Sequence, residues 1–250
     1  MRRKGPAGGR QPAPAAPLRC RGGPQHNAAM NTLIIGASRG IGFELARQYL
    51  ADGAAVTGTA RDEAGLARLR ALGARAVQLD VGDPAAAAGL AWPIDGERFD
   101  VVVFVAGVIG ERAPVLQTPT LADFDAVMHT NVLGPMAVLP QLADALAPGA
   151  RLGLVSSRMG SMGLRESSSN WLYRASKAAA NSVLKDLSIA WAGKAVCLSL
   201  HPGWVRTDMG GAGADIDVAT SAAGMRRVLA GATPQDNGGF FNYDGTPLAW

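Results

Sequence analysis

Short apolar runs alternate with longer amphipathic stretches from residue 31 onward. The runs occupy 31–36, 54–59, 75–79, 100–106, 150–156 and 195–200. The helical patterns occupy 41–52, 62–72, 83–90, 120–147, 172–192 and 217–230. A run such as Val101-Val102-Val103-Phe104-Val105 has no polar alternate positions, so it predicts a strand covered on both faces, as in a parallel sheet. Strand–helix alternation with short connections predicts βαβ units and one α/β domain built on a doubly wound sheet of about seven strands. No internal repeat or second domain interrupts the pattern.

Residues 1–29 stand outside it. They are dominated by Pro, Gly, Ala and Arg and cannot bury enough apolar area to offset ordering entropy, so a disordered basic extension is expected there. The expected domain is 30–250, with Met30 as the start in the favoured reading. A transit peptide is the alternative, against the absence of Ser and Thr. This division changes the meaning of the net charge. The whole chain carries +4, but the stretch 1–29 holds six bases and no acid, leaving 30–250 with 18 bases and 20 acids. The basic balance therefore does not imply a nucleic-acid partner. With 250 residues and two cysteines, the chain is long enough to fold without a disulfide scaffold, and a reducing, cytoplasmic setting is expected. No apolar run reaches the ~20 residues of a membrane span, so no membrane partner is expected.

The first strand runs into Gly36-Ala37-Ser38-Arg39-Gly40-Ile41-Gly42 and then an amphipathic helix. Glycines at a strand–helix junction let the backbone approach a pyrophosphate, and the helix N-terminus offers N–H groups to it. The spacing is G-x-x-x-G-x-G rather than G-x-G-x-x-G. At the end of the second strand an acid would bind the ribose hydroxyl of NAD, and an arginine would suit the 2′-phosphate of NADP. Ala60 occupies the acid's place, Arg61 follows, and Arg39 is a second cation in the loop. These favour NADP(H); Asp62, one position late, keeps NAD(H) as the minor alternative.

Tyr173 and Lys177 are four residues apart at the start of a predicted helix, hence on one face. A neighbouring ammonium is expected to lower the phenol pKa and make the pair an acid/base. Ser156, Ser157 and Ser161 follow the fifth strand, at the carboxyl edge where open α/β sheets bind ligands. Asn131 interrupts the pattern 120–147, and Gly134-Pro135 predicts a local distortion there. His201-Pro202-Gly203 opens another carboxyl-edge segment. His129 and His201 have no metal-ligand partners at useful spacing, so no metal is expected. Cys197 reads as a buried small hydrophobe. Trp204 is either packing or pocket wall, and 210–214 either a substrate lid or a surface loop.

Together these residues resemble the short-chain dehydrogenase/reductase family over 31–250, in its C-factor-like or sniffer-like carbonyl reductase branch. The narrower likeness rests on the Ser157–Tyr173 interval, the segment 201–209 and the terminal segment 238–245. The resemblance implies a Rossmann fold and reduction of a small carbonyl compound by NADP(H). It implies Tyr173 as proton donor and Lys177 as ligand of the nicotinamide ribose, lowering the tyrosine pKa. Ser157 would orient the carbonyl, ahead of Ser156 and Ser161, and Asn131 would hold a relay water. Cofactor contacts would come from Gly36, Ser38, Arg39, Gly40, Ile41, Gly42, Arg61, Asp80 at the adenine, Val81, Ala106, Gly107, Tyr173, Lys177, Pro202 and Gly203, with Val205 and Thr207 at the carboxamide. A homodimer or homotetramer through 120–147 and 172–192 would follow. Ile35 replaces the family's Thr, and Val105-Ala106-Gly107 replaces Asn-Ala-Gly, which removes a tie between strands. Arg158 and Arg165 make the site edge cationic; an acidic substrate and a solvated rim both fit that. A dinucleotide-binding sensor on the same fold is the rival reading, weakened by the presence of both Tyr173 and Lys177.

Overall fold

The apolar runs form strands of one parallel sheet: β1 (Asn31–Ile35), β2 (Ala55–Ala60), β3 (Arg75–Gln78), β4 (Phe99–Phe104), β5 (Leu146–Val155) and β6 (Ala195–His201). A seventh strand, β7 (Gly239–Asn242), is too short and glycine-led to stand out as an apolar run. The computed structural model describes residues 30–113 and 116–250; the expected disordered extension 1–29 lies outside the described residues. Strand order is β3-β2-β1-β4-β5-β6-β7, with all pairings parallel. The order reverses between β1 and β4, and the carboxyl edge beside that switch point is where such sheets hold ligands.

Both faces of the sheet are covered. Leu33, Ile35, Val102, Phe104 and Cys197 pack into one core with Val183 and Leu184 of α6 (Trp171–Ala190). Ile34, Val101, Val103, Leu198 and Leu200 turn to the other core. They meet Leu45 of α1 (Gly40–Ala51), Leu66 and Leu69 of α2 (Glu63–Leu72), and Met225 and Leu229 of α7 (Val218–Gly231). Alternation across the pleat thus supplies two cores from one run of apolar residues, which is why no polar alternate position appears.

Helix starts are set by side chains. Asp62 accepts from Gly65 N at 2.7 Å to cap α2, and Asp217 accepts from Thr220 N at 2.6 Å to cap α7. The pattern 83–90 is a helix only over α3 (Pro84–Ala87), because Gly89 and Pro93 follow at once. The pattern 120–147 is not one helix. It divides into α4 (Leu121–Met128), a π turn over His129–Leu133, α5 (Gly134–Val138) and a 3₁₀ segment over Leu139–Ala145, before the chain enters β5 at Leu146. Pro135 and Pro140 lack the N–H that a continuous helix would use, and Gly134 marks the predicted distortion.

Candidate active site

At the end of β1 the chain must turn over the sheet edge into α1. Gly36 has φ +87°, and a Cβ there would lie 2.7 Å from Ala106 N. A Cβ on Gly42, in the first turn of α1, would lie 2.1 Å from the Gly36 carbonyl oxygen. Backbone therefore packs on backbone, and neither position has room for a side chain. Gly36 N donates to Thr59 Oγ1 at 2.9 Å and Ala37 N to the Thr59 carbonyl at 2.8 Å, which pins the loop to β2. No side chain caps α1 at Arg39, leaving its first-turn N–H groups and positive dipole end for an anion. A cradle of this kind fits a dinucleotide pyrophosphate.

Arg39 and Arg61 are both exposed, but they are not equally free. Arg39 Nη1 lies 2.6 Å from Asp208 Oδ2, joining the glycine loop to the segment after β6. Among the described residues Arg61 meets one carboxylate, that of Asp62, at 3.9 Å. Asp62 spends its Oδ1 on the α2 cap, so the late acid has a structural job. Asp80 accepts from Gly82 N at 2.9 Å, and Val81 is buried against Gly134. Both follow β3, on the same side of the switch point as the glycine loop. The departures Ile35 and Val105 leave the strands well tied. Ile35 is fully buried, and its carbonyl accepts from both Val105 N (2.8 Å) and Ala106 N (3.0 Å).

Across the switch point, Ser156-Ser157 follow the end of β5 and pack against α6. Ser156 Oγ donates to the Lys177 carbonyl at 3.4 Å, and Ser161 Oγ to the Trp250 carbonyl at 3.2 Å. Ser157 Oγ accepts from Met159 N at 3.1 Å, and its hydroxyl faces the Tyr173 phenol, drawing that group's pKa down. Burial is the larger effect and pushes the Tyr173 phenol up to about 12. The expected lowering by Lys177 does not appear. Lys177 Nζ turns to the Val155 carbonyl at 3.0 Å and stands 5.8 Å from the Tyr173 ring centre. Burial also brings Lys177 down to about 8. Sharing one helical face places the pair together, but the sheet above desolvates both groups.

The Lys177 shift has a measurable consequence. Its folded pKa lies below the unfolded value of 10.5, so the penalty for burying the ammonium is complete below pH 8 and fades as pH rises to 10.5. Thermal melts of the cofactor-free wild type and Lys177→Met across that window are expected to show the wild type gaining on the variant with rising pH. A constant difference would contradict the shift.

Asn131 lies in the π turn and is buried. Its Oδ1 accepts from Val108 N (2.9 Å), and its Nδ2 donates to the Val108 carbonyl (2.8 Å) and Ser176 Oγ (3.0 Å). The side chain thus joins the loop after β4 to α6. Gly107 lies between: a Cβ there would come 3.2 Å from both Asn131 Oδ1 and Lys177 Nζ.

Ile41, Ser157, Tyr173, Pro202, Gly203, Val205 and Thr207 all line one cleft of about 990 Å³. Thr207 Oγ1 accepts from Gly210 N at 3.0 Å, and its methyl comes 3.6 Å from the position of a Gly40 Cβ, so this segment closes against the glycine loop. Trp204 also lines the cleft, with Nε1 donating to the Gly210 carbonyl at 2.9 Å. Arg112, Arg174, Asn170 and Tyr243 line it too and escaped the sequence reading. Only Asn170 carries a signal, an asparagine before a helix in the left-handed region at φ 52°. His201 is held neutral, down to about 4, chiefly by burial and then by Arg158.

The family model described as enoyl-(acyl carrier protein) reductase matches residues 36–240. The chain belongs to the short-chain dehydrogenase/reductase family. Within that family it is similar to the C-signal protein of Myxococcus xanthus, 38% identical over 154 residues, which are 60% of this chain and 92% of that protein. Among solved family structures, the carbonyl reductase Sniffer of D. melanogaster superposes with a TM-score of 0.81 at 29% identity, covering 89% of this chain and all of that one. The NADPH-bound carbonyl reductase from chicken fatty liver gives 0.78 at 31% identity, covering 89% and 99%. The family fold is the seven-stranded parallel sheet described above, and its members are oxidoreductases. Among the described residues, no helix is long and apolar enough to cross a membrane.

Proposed function

We propose that this chain reduces a ketone or aldehyde to an alcohol with NADPH, with Tyr173 as proton donor. The observation that carries the reading is the Tyr173 phenol, buried against Ser157 in a cleft that begins at the glycine loop. A pKa near about 12 keeps that phenol protonated at neutral pH, the state a reductase needs before transfer. Ser157 and Tyr173 hydrogen-bond the carbonyl oxygen and polarise it, and the proton then passes from the phenol to the forming alkoxide. The glycine loop would hold the dinucleotide's pyrophosphate and the 202–207 segment its nicotinamide, and the cofactor would supply the hydride. Lys177, whose Nζ would come 3.2 Å from a Cβ on Gly107, would hold the ribose hydroxyls and present a cation behind the phenol as the proton leaves. Asn131 keeps the Val108 loop and α6 in register, and its relay water would sit at that junction.

NADPH oxidation against a panel of aldehydes and ketones tests the reading; no turnover on any member overturns it. The 2′-phosphate would sit between Arg61 and Arg39. The exposed Arg39–Asp208 pair is worth only ~0.2–1 kcal/mol and yields to a phosphate dianion. Arg61→Ala is expected to weaken NADPH binding about 10-fold, the cost of a charge-assisted bond, and to leave NADH unchanged. Isothermal titration with both nucleotides measures it, and equal effects on the two would remove Arg61 from the phosphate site. The same reading pairs copies of the chain through α4, α5 and α6, which expose Leu121, Phe124, Met136 and Ile189.

A further inference from the structure

Two arginines of the cleft pair with no carboxylate among the described residues. Arg158 and Arg174, each next in the chain to Ser157 and Tyr173, both line it. Arg174 is half-buried, and its Nε donates to the Ser169 carbonyl at 2.8 Å. That bond sets the plane of the guanidinium and leaves both terminal nitrogens without a protein acceptor among the described residues. The Arg158 side chain is exposed and has neither a hydrogen-bond nor an ion-pair partner among them. Elsewhere Arg39, Arg47, Arg61, Arg70, Arg75 and Arg226 each face a carboxylate. The residues outside the description contain no Asp or Glu that could supply one.

Two acids, Glu166 and Asp215, line the same cleft, but both are exposed and neither pairs with an arginine. Glu166 stands midway in the chain between Arg158 and Arg174, yet its exposed carboxylate reaches neither guanidinium among the described residues. The excess of positive charge also acts on its neighbours. Burial, and after it Arg165, holds Arg174 below its usual range, and Arg158 adds to the lowering of His201 that burial begins. Such a cluster is costly until an anion enters it.

We propose that the substrate is a carbonyl compound carrying a carboxylate, whose two oxygens meet the free terminal nitrogens of Arg174 with Arg158 beside them. A planar two-oxygen group matches a guanidinium fork held in plane, and the bond is stronger in a partly desolvated wall than in water. The carbonyl oxygen then lies between Ser157 and Tyr173, so the inference rests on the carbonyl reductase reading. Arg174 is a specificity residue here: it binds the far end of the substrate and takes no part in proton transfer.

The test compares a homologous series of straight-chain oxo acids with their methyl esters, using the full chain and NADPH. At the best chain length the acid is expected to exceed its ester in kcat/KM by about 10-fold or more, as befits a charge-assisted contact. Arg174→Met is expected to bring that ratio close to one, and Arg158→Met to lower it. Arg227→Met, which removes an exposed charge on α7, is expected to leave the ratio as it is. Added salt is expected to erode the preference. A second readout is binding of the matching hydroxy acid and hydroxy ester to the enzyme–NADP complex, followed by the fluorescence of tryptophans including Trp204 in the cleft wall. Equal turnover of acid and ester, or a ratio that survives both arginine changes, overturns the proposal and leaves the reductase reading intact. Selective binding of the hydroxy acid without turnover of any carbonyl keeps the anion site and overturns the reductase reading. Absence of both binding and preference overturns the proposal.

Discussion

A Tyr173→Phe enzyme is expected to reduce carbonyl substrates about 10²–10⁴-fold more slowly than the wild type, the usual span for loss of a positioned acid. The substitution keeps the ring on α6 in the cleft wall and removes only the hydroxyl. Folding and cofactor binding should therefore persist. The measurement is the single-turnover rate of NADPH oxidation, alongside nucleotide affinity from quenching of intrinsic fluorescence. Wild-type turnover would remove Tyr173 from the chemistry. Lost nucleotide affinity would instead show that the phenol supports the cleft's shape.

The second large effect is expected at Gly42. A Cβ there lies 2.1 Å from the Gly36 carbonyl oxygen, so Gly42→Ala must move either the loop or the start of α1. Neither movement is cheap, because Gly36 is itself pressed against Ala106 and bonded to Thr59. Overpacking of this kind costs ~1–3 kcal/mol or more. It falls on the segment that would cradle the pyrophosphate, so NADPH affinity is expected to drop by about 10–100-fold with a lowered Tm. Gly231→Ala, where an added Cβ meets nothing within 4 Å, is the control and should bind nucleotide normally. Normal binding by Gly42→Ala would mean that the loop is softer than its packing indicates.

Much of the architecture is legible in the order of apolar runs, because a strand covered on both faces leaves a mark that survives without any knowledge of its neighbours. The glycine loop is legible for a related reason: a turn that packs backbone on backbone excludes every side chain. The pattern 120–147 reads as one helix but folds as several segments. Its apolar content is continuous, but Pro135 and Pro140 break the hydrogen-bond ladder, and Asn131 is drawn to the Val108 backbone rather than to its own helix. The strand β7 leaves no such mark, because four residues give periodicity too little length.

At the site, spacing alone placed Tyr173 and Lys177 on one face and marked Ser157 as a candidate beside them. Spacing could not supply the direction of the tyrosine's pKa. That depends on how far β5 and α6 exclude water and on which carbonyl the lysine finds, and the Val155 carbonyl is 22 residues away. Arg39 offers the same lesson. Its place in the loop is visible locally, but its partner Asp208 is 169 residues distant. Arg112 and Arg174 look like any surface arginine until the fold turns them toward one cleft.

The amino-acid order by itself determined the parallel α/β layering, the phosphate-type turn, the tyrosine–lysine pair and the separation of a basic leading stretch from a slightly acidic body. Each of these follows from short-range sterics, periodicity or residue counts. Tertiary structure alone decided which serine faces the phenol, how strongly the phenol and the ammonium are desolvated, and which arginines stand unpaired in the cleft. Those properties come from contacts between distant parts of the chain, and burial and electrostatic pairing exist only once the distant parts have met.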